Sequence, residues 1–413
     1  MRESLCMAKK LETDVIVIGA GLTGATLACG LASNGIQTVM VDRTAPEDSI
    51  SPSFDGRASA IAYSSKVALD GIGLWPLVAG KTEAIREIRV SDGASPLFLH
   101  YDHADLGDDP LGYMIENRDM RSGLLALTKQ TAGLDVIAPA EVTAIARSNE
   151  GAKITLRDGQ TVTGRLLVAA DGRTSMTRQA AGIAVIDWGY NQHAIVATID
   201  HTVSHQGIAH ERFLPSGPFA ILPLKGGHRS SLVWTERKSL VESFMALDDN
   251  TFLAEVSERV GGFLGDTSLV GPRFQHPLGL QVAATYTAER LAIVGDAAHG
   301  IHPIAGQGLN LGLRDVAALI DILVDAKRYG LDLAHSAGLE RYQRWRRADN
   351  LLMAGMTDIL NRLFSNDVPP LRVMRDLGLA TVNSLPTLKK TFMRHAMGQV
   401  GDLPKLMRGE APG

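Results

Sequence analysis

Residues 19 to 24, Gly19-Ala20-Gly21-Leu22-Thr23-Gly24, form a GxGxxG run. The first glycine of such a run permits a tight turn, the second lets a pyrophosphate approach the backbone, and the third allows close helix packing. An acid, Asp42, lies 18 residues past Gly24, where a carboxylate can hold a ribose hydroxyl. Two further polar loops follow apolar runs. One is Asp171-Gly172-Arg173-Thr174-Ser175 with Arg178 beyond it, and the other is Gly295-Asp296. The second continues through His302-Pro303-Ile304-Ala305-Gly306-Gln307-Gly308-Leu309-Asn310, a small-residue loop running into a helix. NAD and FAD share the GxGxxG, but a simple NAD dehydrogenase has no need of the two extra loops. No serine, cysteine or paired-carboxylate constellation stands out, so a bound cofactor is expected to carry the reaction. His201, His205 and His210 invite a metal reading, but their surroundings read as strands and loops, and no thiolate or HExxH glutamate completes a zinc set. No metal is assigned.

These residues need elements to hold them. Residues 15 to 41 are 27 consecutive uncharged positions, long enough for a membrane span. Their pattern is instead strand, helix, strand: VIVI at 15 to 18, five glycines, a helix stop at Asn34-Gly35, and strand character again from Ile36 to Val41. LLVAA at 166 to 170 and LAIV at 291 to 294 are strand-like runs that end in the two polar loops. Between them AIVATI, FAILPL and SSLVW alternate with turn signals, so residues 186 to 275 read as an antiparallel sheet. From Leu309 onward the period is helical. Val316, Ile320, Leu323 and Val324 share a face, with Arg314, Asp321 and Asp325 expected off it.

At 413 residues, 45% hydrophobic and 21% charged, the chain can bury one large or several ordinary cores, which excludes wholesale disorder and a multi-span membrane protein. A net charge of −4 gives no chain-wide field for nucleic acid. Two cysteines, Cys6 and Cys29, without a CxxC pair, fit a reducing cytoplasm, and the first dozen residues lack a signal-peptide pattern. The tail from Arg362 holds eight basic and four acidic residues, a net +4 that leaves −8 for the rest.

The three fingerprints, in order and spacing, together with Asp55-Gly56-Arg57-Ala58-Ser59-Ala60 and Glu211-Arg212-Phe213-Leu214-Pro215, resemble the single-component FAD monooxygenases that hydroxylate aromatic rings. Within these the chain is similar to the ubiquinone-biosynthesis hydroxylases, over about residues 14 to 400. The most specific match is the Gly-Asp loop with its HPxAGQGxNLGxxD continuation, ending at Asp315. The resemblance implies an α/β fold: a Rossmann-like FAD-binding domain of the p-hydroxybenzoate hydroxylase type (1–75, 106–185 and 276–361), an inserted antiparallel substrate domain (76–105 and 186–275), and a helical C-terminal region (362–413).

It also implies site residues. FAD would lie on Gly19, Gly21, Gly24, Asp42 and Arg43, with Asp296 beside Gly295 on the ribityl chain. Gly308, Leu309 and Asn310 would meet the pyrimidine edge, where a helix N-terminus stabilises developing negative charge. Arg57 and Arg118, or Arg121 in place of the latter, would serve the flavin and its phosphates, and Asp171 both flavin and nicotinamide. Catalysis would centre on the loop of His302, Pro303 and Gly306, with His302 moving a proton or making a structural hydrogen bond. NADPH or NADH would act as transient reductant, and a flavin C4a-hydroperoxide would be the oxygen donor. The implied partners are a prenylated phenol and molecular oxygen, with no nucleic acid. Other proteins of ubiquinone biosynthesis, a second copy of the chain, and the inner face of the cytoplasmic membrane for an otherwise cytoplasmic protein also stand as partners. The competing readings are a non-catalytic flavin-holding scaffold subunit and a flavin reductase of the same fold.

Overall fold

A computed structural model of the chain describes residues 10–51, 56–93, 95, 98–302, 304–365, 375, 378 and 381–412. Cys6, Asp55, Pro303 and the tail residues Leu371, Arg372, Val373, Met374, Leu377 and Leu379 lie outside the described residues.

The chain opens with β1 (Lys10–Ile18), α1 (Leu22–Ser33) and β2 (Thr38–Val41). The β-branched run Val15 to Val17 is fully buried, which settles its place at the centre of a sheet. Short helices α2 (Pro46–Ser49), α3 (Tyr63–Gly71) and α4 (Trp75–Val78) follow. Strands β3 (Ala58–Ala62), β4 (Glu83–Ile85) and β7 (Gly112–Glu116) make a small antiparallel sheet in the order β3-β7-β4. α5 (Asn117–Gln130) leads to β8 (Leu134–Ile137). Next come the hairpin β9 (Val142–Ser148) and β10 (Gly151–Leu156), then β11 (Thr161–Ala169) and α6 (Met176–Ala180).

The first large sheet runs β17-β18-β11-β1-β2-β8, where β17 is Thr287–Ala288 and β18 is Leu291–Ile293. Strands β18, β11, β1, β2 and β8 are mutually parallel, so all end on the same edge. Three polar loops follow the carboxyl ends of β1, β11 and β18, the edge where open α/β sheets bind ligands.

The second large sheet contains β5 (Glu87–Asp92), β6 (Phe98–Asp102), β12 (Val185–His201), β13 (Ile208–Leu214), β14 (Gly217–Leu224), β15 (Arg229–Arg237), β16 (Thr267–Ala283) and β19 (His299–Gly300). Two features correct the expectation of a plain antiparallel sheet over 186–275. β13 pairs with β5 in parallel, and α7 (Lys238–Met245) and α8 (Asp249–Val260) interrupt the strands to cover one face. Val241, Phe252 and Val256 pack there against Trp234 and Phe219.

α9 (Gln307–Arg328) and the 29-residue α10 (Ser336–Phe364) return to the first sheet, and α11 (Pro386–Ala396) precedes the final turns. α9 is not amphipathic in the expected way. Arg314 and Asp321 are buried along with the apolar face, because α1, α10 and the C-terminal segment enclose the helix on several sides. Among the described residues no helix is long and apolar enough to cross a membrane.

Candidate functional site

Gly19 adopts φ of +106°, and a Cβ there would lie 2.3 Å from the Ala170 carbonyl oxygen. A Cβ on Gly24 would fall 1.9 Å from the carbonyl oxygen of Gly19, so the third glycine lets α1 start directly against the turn. At Gly21, by contrast, a Cβ would meet nothing within 4 Å. The N-terminus of α1 has no side-chain cap and no acid in its first turn, leaving its N–H groups for an anion. Asp42 closes the loop: Oδ2 accepts from the Ala20 N–H at 2.6 Å and Oδ1 from the Thr44 N–H at 2.7 Å. Each carboxylate oxygen keeps a lone pair for a ribose hydroxyl. Arg43 is exposed beside it.

The Gly295-Asp296 loop meets this half-site through Thr23, whose Oγ1 would lie 2.9 Å from a Cβ on Gly295 and 3.0 Å from one on Gly312. Asp296 is the one exposed side chain in a stretch, 291 to 299, that is otherwise buried, and among the described residues its carboxylate has no hydrogen-bond partner. Behind it α9 begins at the left-handed Gly306, again without a side-chain cap or an acid in the first turn. A Cβ on Gly308 would meet nothing within 4 Å, and Leu309 packs partly into the core. The Asn310 side chain turns inward. It accepts from the Ala62 N–H at 2.9 Å and donates to the Ala60 carbonyl at 2.8 Å, tying β3 to the start of α9. The β3–β7 pair brings the two arginines near each other, Arg57 just before β3 and Arg118 just after β7. Arg57 is exposed, and its carbonyl accepts from the Asn117 N–H at 3.0 Å, next to Arg118. Arg118 donates to Glu116 at 3.3 Å.

Asp171 is engaged within its own loop. Its carboxylate accepts from the Ser175 hydroxyl, from the Thr177 N–H at 3.0 Å and from the Thr177 hydroxyl at 2.9 Å, so it organises its own loop and the start of α6. Buried Arg178 then joins the two loops, donating to the Ala297 carbonyl at 2.9 Å and the Arg173 carbonyl at 3.0 Å.

Sequence reasoning overlooked a buried polar hub below the Gly-Asp loop. Asp315 Oδ2 accepts from the Gly295 N–H at 3.1 Å and lies 2.6 Å from His299 Nε2. Its Oδ1 accepts from Arg346 Nε at 2.8 Å and Asn350 Nδ2 at 3.1 Å. Burial pushes the Asp315 carboxyl up, but His299 and Arg346 outweigh it and hold it down to about 2. One signal was present in the sequence. Arg346, Asp349 and Asn350 fall at i, i+3 and i+4, and Arg346 lies four residues past the buried Tyr342, which puts charge on the inward face of a helix.

His302 is fully buried, and neither ring nitrogen has a hydrogen-bond partner among the described residues. Burial lowers its pKa to about 4, which leaves a neutral imidazole at physiological pH. Its ring meets Tyr190 edge-on, 5.2 Å between centroids. Tyr190 is aimed there by a bulge in β12 between Gly189 and Gln192, where Asn191 takes φ of +56°. The remaining histidines lie elsewhere. His201 and His205 spend their nitrogens on Val203, Ser230, Leu224 and Gly207, and His210 packs on Phe263. Among the described residues Glu87, His100 and Asp102 bring ligand atoms together, but Arg89 donates to the same Glu87 oxygen at 2.8 Å.

Two uncapped helix N-termini, two glycines facing open space, and an unpartnered carboxylate between them suit a long, pyrophosphate-bearing cofactor with a polar ring edge. FAD would suit this set, with its pyrophosphate at α1, a ribose at Asp42, the ribityl chain at Asp296 and the pyrimidine edge at α9. A parallel sheet built around such a site and paired with a second mixed sheet defines an FAD-dependent monooxygenase of p-hydroxybenzoate hydroxylase-like fold. The comparisons agree. The model of a family described as FAD binding domain matches residues 12–351. Ubiquinone hydroxylase UbiL of Rhodospirillum rubrum is 51% identical over 399 residues, covering 96% of this chain and 92% of the relative. The 3-demethoxyubiquinol 3-hydroxylase of Escherichia coli is 34% identical over 389 residues, covering 94% and 98%. The crystal structure of p-nitrophenol 4-monooxygenase PnpA from Pseudomonas putida shares the fold, with a TM-score of 0.79 at 18% identity, covering 94% of this chain and 98% of that one. The chain belongs to the ubiquinone-biosynthesis hydroxylase family of FAD-dependent monooxygenases.

Proposed function

We propose that the protein hydroxylates the aromatic ring of a prenylated phenol in ubiquinone biosynthesis, using molecular oxygen and FAD reduced by NADPH or NADH. The observation that carries this is the convergence, through Thr23, of the GxGxxG turn, the Gly-Asp loop and the N-terminus of α9 on one sheet edge. When bound there, FAD supplies the electron transfer and the oxygen activation.

The chain's own residues do the rest. Asp296 and the first N–H groups of α9 orient the ring system, Arg57 and Arg118 add positive charge beside it, and Asp171 and Arg178 hold the loops in register. His302 and Gly306 belong to the loop before α9 that serves the substrate side in this reading. A neutral imidazole with no partner among the described residues can accept a hydrogen bond from a phenol hydroxyl that reaches it, but with its pKa lowered to about 4 it does not take the proton. The apolar side chains left exposed on α10 and α11, among them Leu352, Ile359, Leu388 and Phe392, support collection of an insoluble substrate at a membrane surface or from a partner protein.

The purified protein should be yellow with about one noncovalent FAD per chain, and it should consume oxygen with NAD(P)H only when a prenylated phenol is present. Mass spectrometry should find one added oxygen in the product. Protein that cannot be reconstituted with FAD would end the reading. Rapid flavin reduction that never yields hydroxylated phenol would make it a reductase.

A further inference from the structure

The Asp315 hub continues beyond the flavin loop. Arg346 Nη1 donates to Asp349 Oδ2 at 2.7 Å, and the same oxygen accepts from Arg314 Nη1 at 2.8 Å. Arg314 Nη2 then donates to the carbonyl of Gly398 at 2.7 Å. An unbroken line of charged hydrogen bonds therefore joins the Gly295 N–H, immediately before Asp296, to the C-terminal segment 397–408. That segment is itself docked against α3 and α9. The Met397 carbonyl accepts from the Ser64 N–H at 3.0 Å, the Lys405 N–H donates to Asp321 on α9 at 2.8 Å, and Leu406 and Met407 enter the core beneath α3 and α9.

Asp315, Arg346 and Asn350 are all fully buried. Removing one member of such a network strands the others in a low-dielectric interior, so the network has one satisfied arrangement and poor alternatives. With both oxygens of Asp315 engaged, the position of Gly295, and hence of the Asp296 backbone, is set from α9 and α10 and not from the loop itself.

We infer that Asp315 is a positioning residue for the flavin site, and that through Arg346, Asp349 and Arg314 it couples docking of residues 397–408 to the affinity for FAD. This rests on the reading of Asp296 as a flavin contact. Coupling of this kind is reciprocal: FAD binding must hold the C-terminal segment down by the same factor by which the docked segment tightens FAD.

The test measures FAD dissociation constants by flavin fluorescence, and hydrogen exchange of peptides covering 294–299 and 397–408 in the full chain with and without FAD. Asp315→Asn preserves shape but turns an amide NH₂ toward the Gly295 N–H and His299. Its FAD dissociation constant should rise about tenfold or more, with faster exchange at 294–299. Arg314→Met cuts the line at its outer end, away from the buried carboxylate, and so serves even if the first variant fails to fold. It should weaken FAD about threefold or more and raise exchange in both peptides. In the wild type, FAD should slow exchange at 397–408.

FAD affinity within about twofold of wild type in the folded variants, or faster exchange confined to 397–408 in Arg314→Met, would overturn the coupling. Asp296→Ala separates the two ideas. If it leaves FAD affinity unchanged, the flavin reading of Asp296 fails. If it weakens FAD while Arg314→Met and Asp315→Asn do not, the positioning role fails alone.

Discussion

Replacing His302 by leucine should make the protein more acid-resistant and less active at once. In the folded chain burial holds the imidazole at about 4, against an ordinary value of 6.5. The unfolded chain therefore binds a proton that the folded one refuses between those values, and stability rises with pH across the window. The contribution is intact above pH 6.5 and is lost as pH falls toward 4. At about pH 5 the difference in proton binding amounts to roughly 2 kcal/mol. His302→Leu removes that share and also removes two ring nitrogens that have no partner among the described residues, so at neutral pH it should be neutral or stabilising by ~1 kcal/mol. Urea denaturation at about pH 7.5 and pH 5, with saturating FAD in both proteins, reads the effect as a double difference in which any pH dependence of cofactor binding cancels. Turnover should fall by about tenfold, the share of one hydrogen bond to the substrate hydroxyl. Two results would refute the reasoning. Parallel stability losses in wild type and variant would mean His302 titrates alike in both states, and a large destabilisation at neutral pH would mean its nitrogens already have partners. His210, also lowered to about 4 by burial and by Arg89 and Arg212, supplies an independent acid sensitivity that must persist in the variant.

Three further outcomes are expected. Asp42→Ala removes the acceptor for two backbone N–H groups along with a ribose contact, and should weaken FAD by ~1.5 to 3 kcal/mol, roughly ten- to a hundredfold, measured by fluorescence titration; unchanged affinity removes Asp42 from the site. Gly24→Ala drives a methyl into the Gly19 carbonyl and should cost about 3 kcal/mol, with loss of FAD, seen as a fall in Tm of apoprotein and holoprotein alike. Truncation after Asn361 removes the buried Phe364, Met393, Met397, Leu406 and Met407, a loss of roughly 10 kcal/mol at ~2 kcal/mol each, so it should unfold the chain and not merely release it from membranes. A truncated protein with wild-type melting and FAD content would show the tail to be detachable from the fold.

The sequence by itself determined the cofactor half-site, because its requirements are local. A strand of β-branched residues, a turn that only glycine can make and an acid at the next strand end all fall within residues 15 to 42, and turn chemistry leaves few alternatives. The ends of β11 and β18 were legible for the same reason. The family likeness added the roles of Asp296 and the α9 loop, which spacing alone does not supply.

Only the tertiary structure decided the rest. Arg314 and Asp321 look like solvent positions on an isolated helix, but α9 is enclosed on more than one side, so both became buried partners of the C-terminal segment. Phe364, Arg375 and Lys389 of the net-positive tail meet Phe213, Asp92 and Asp105. Asp171 was legible as a strand-end acid, while the donation to it from Ser175 and Thr177 was visible only in the fold. In each case a charge or ring is assigned by whatever packs against it from far along the chain. Local periodicity carries no information about that neighbour, because the energy that decides the matter arises from desolvation and pairing between elements that touch only after folding.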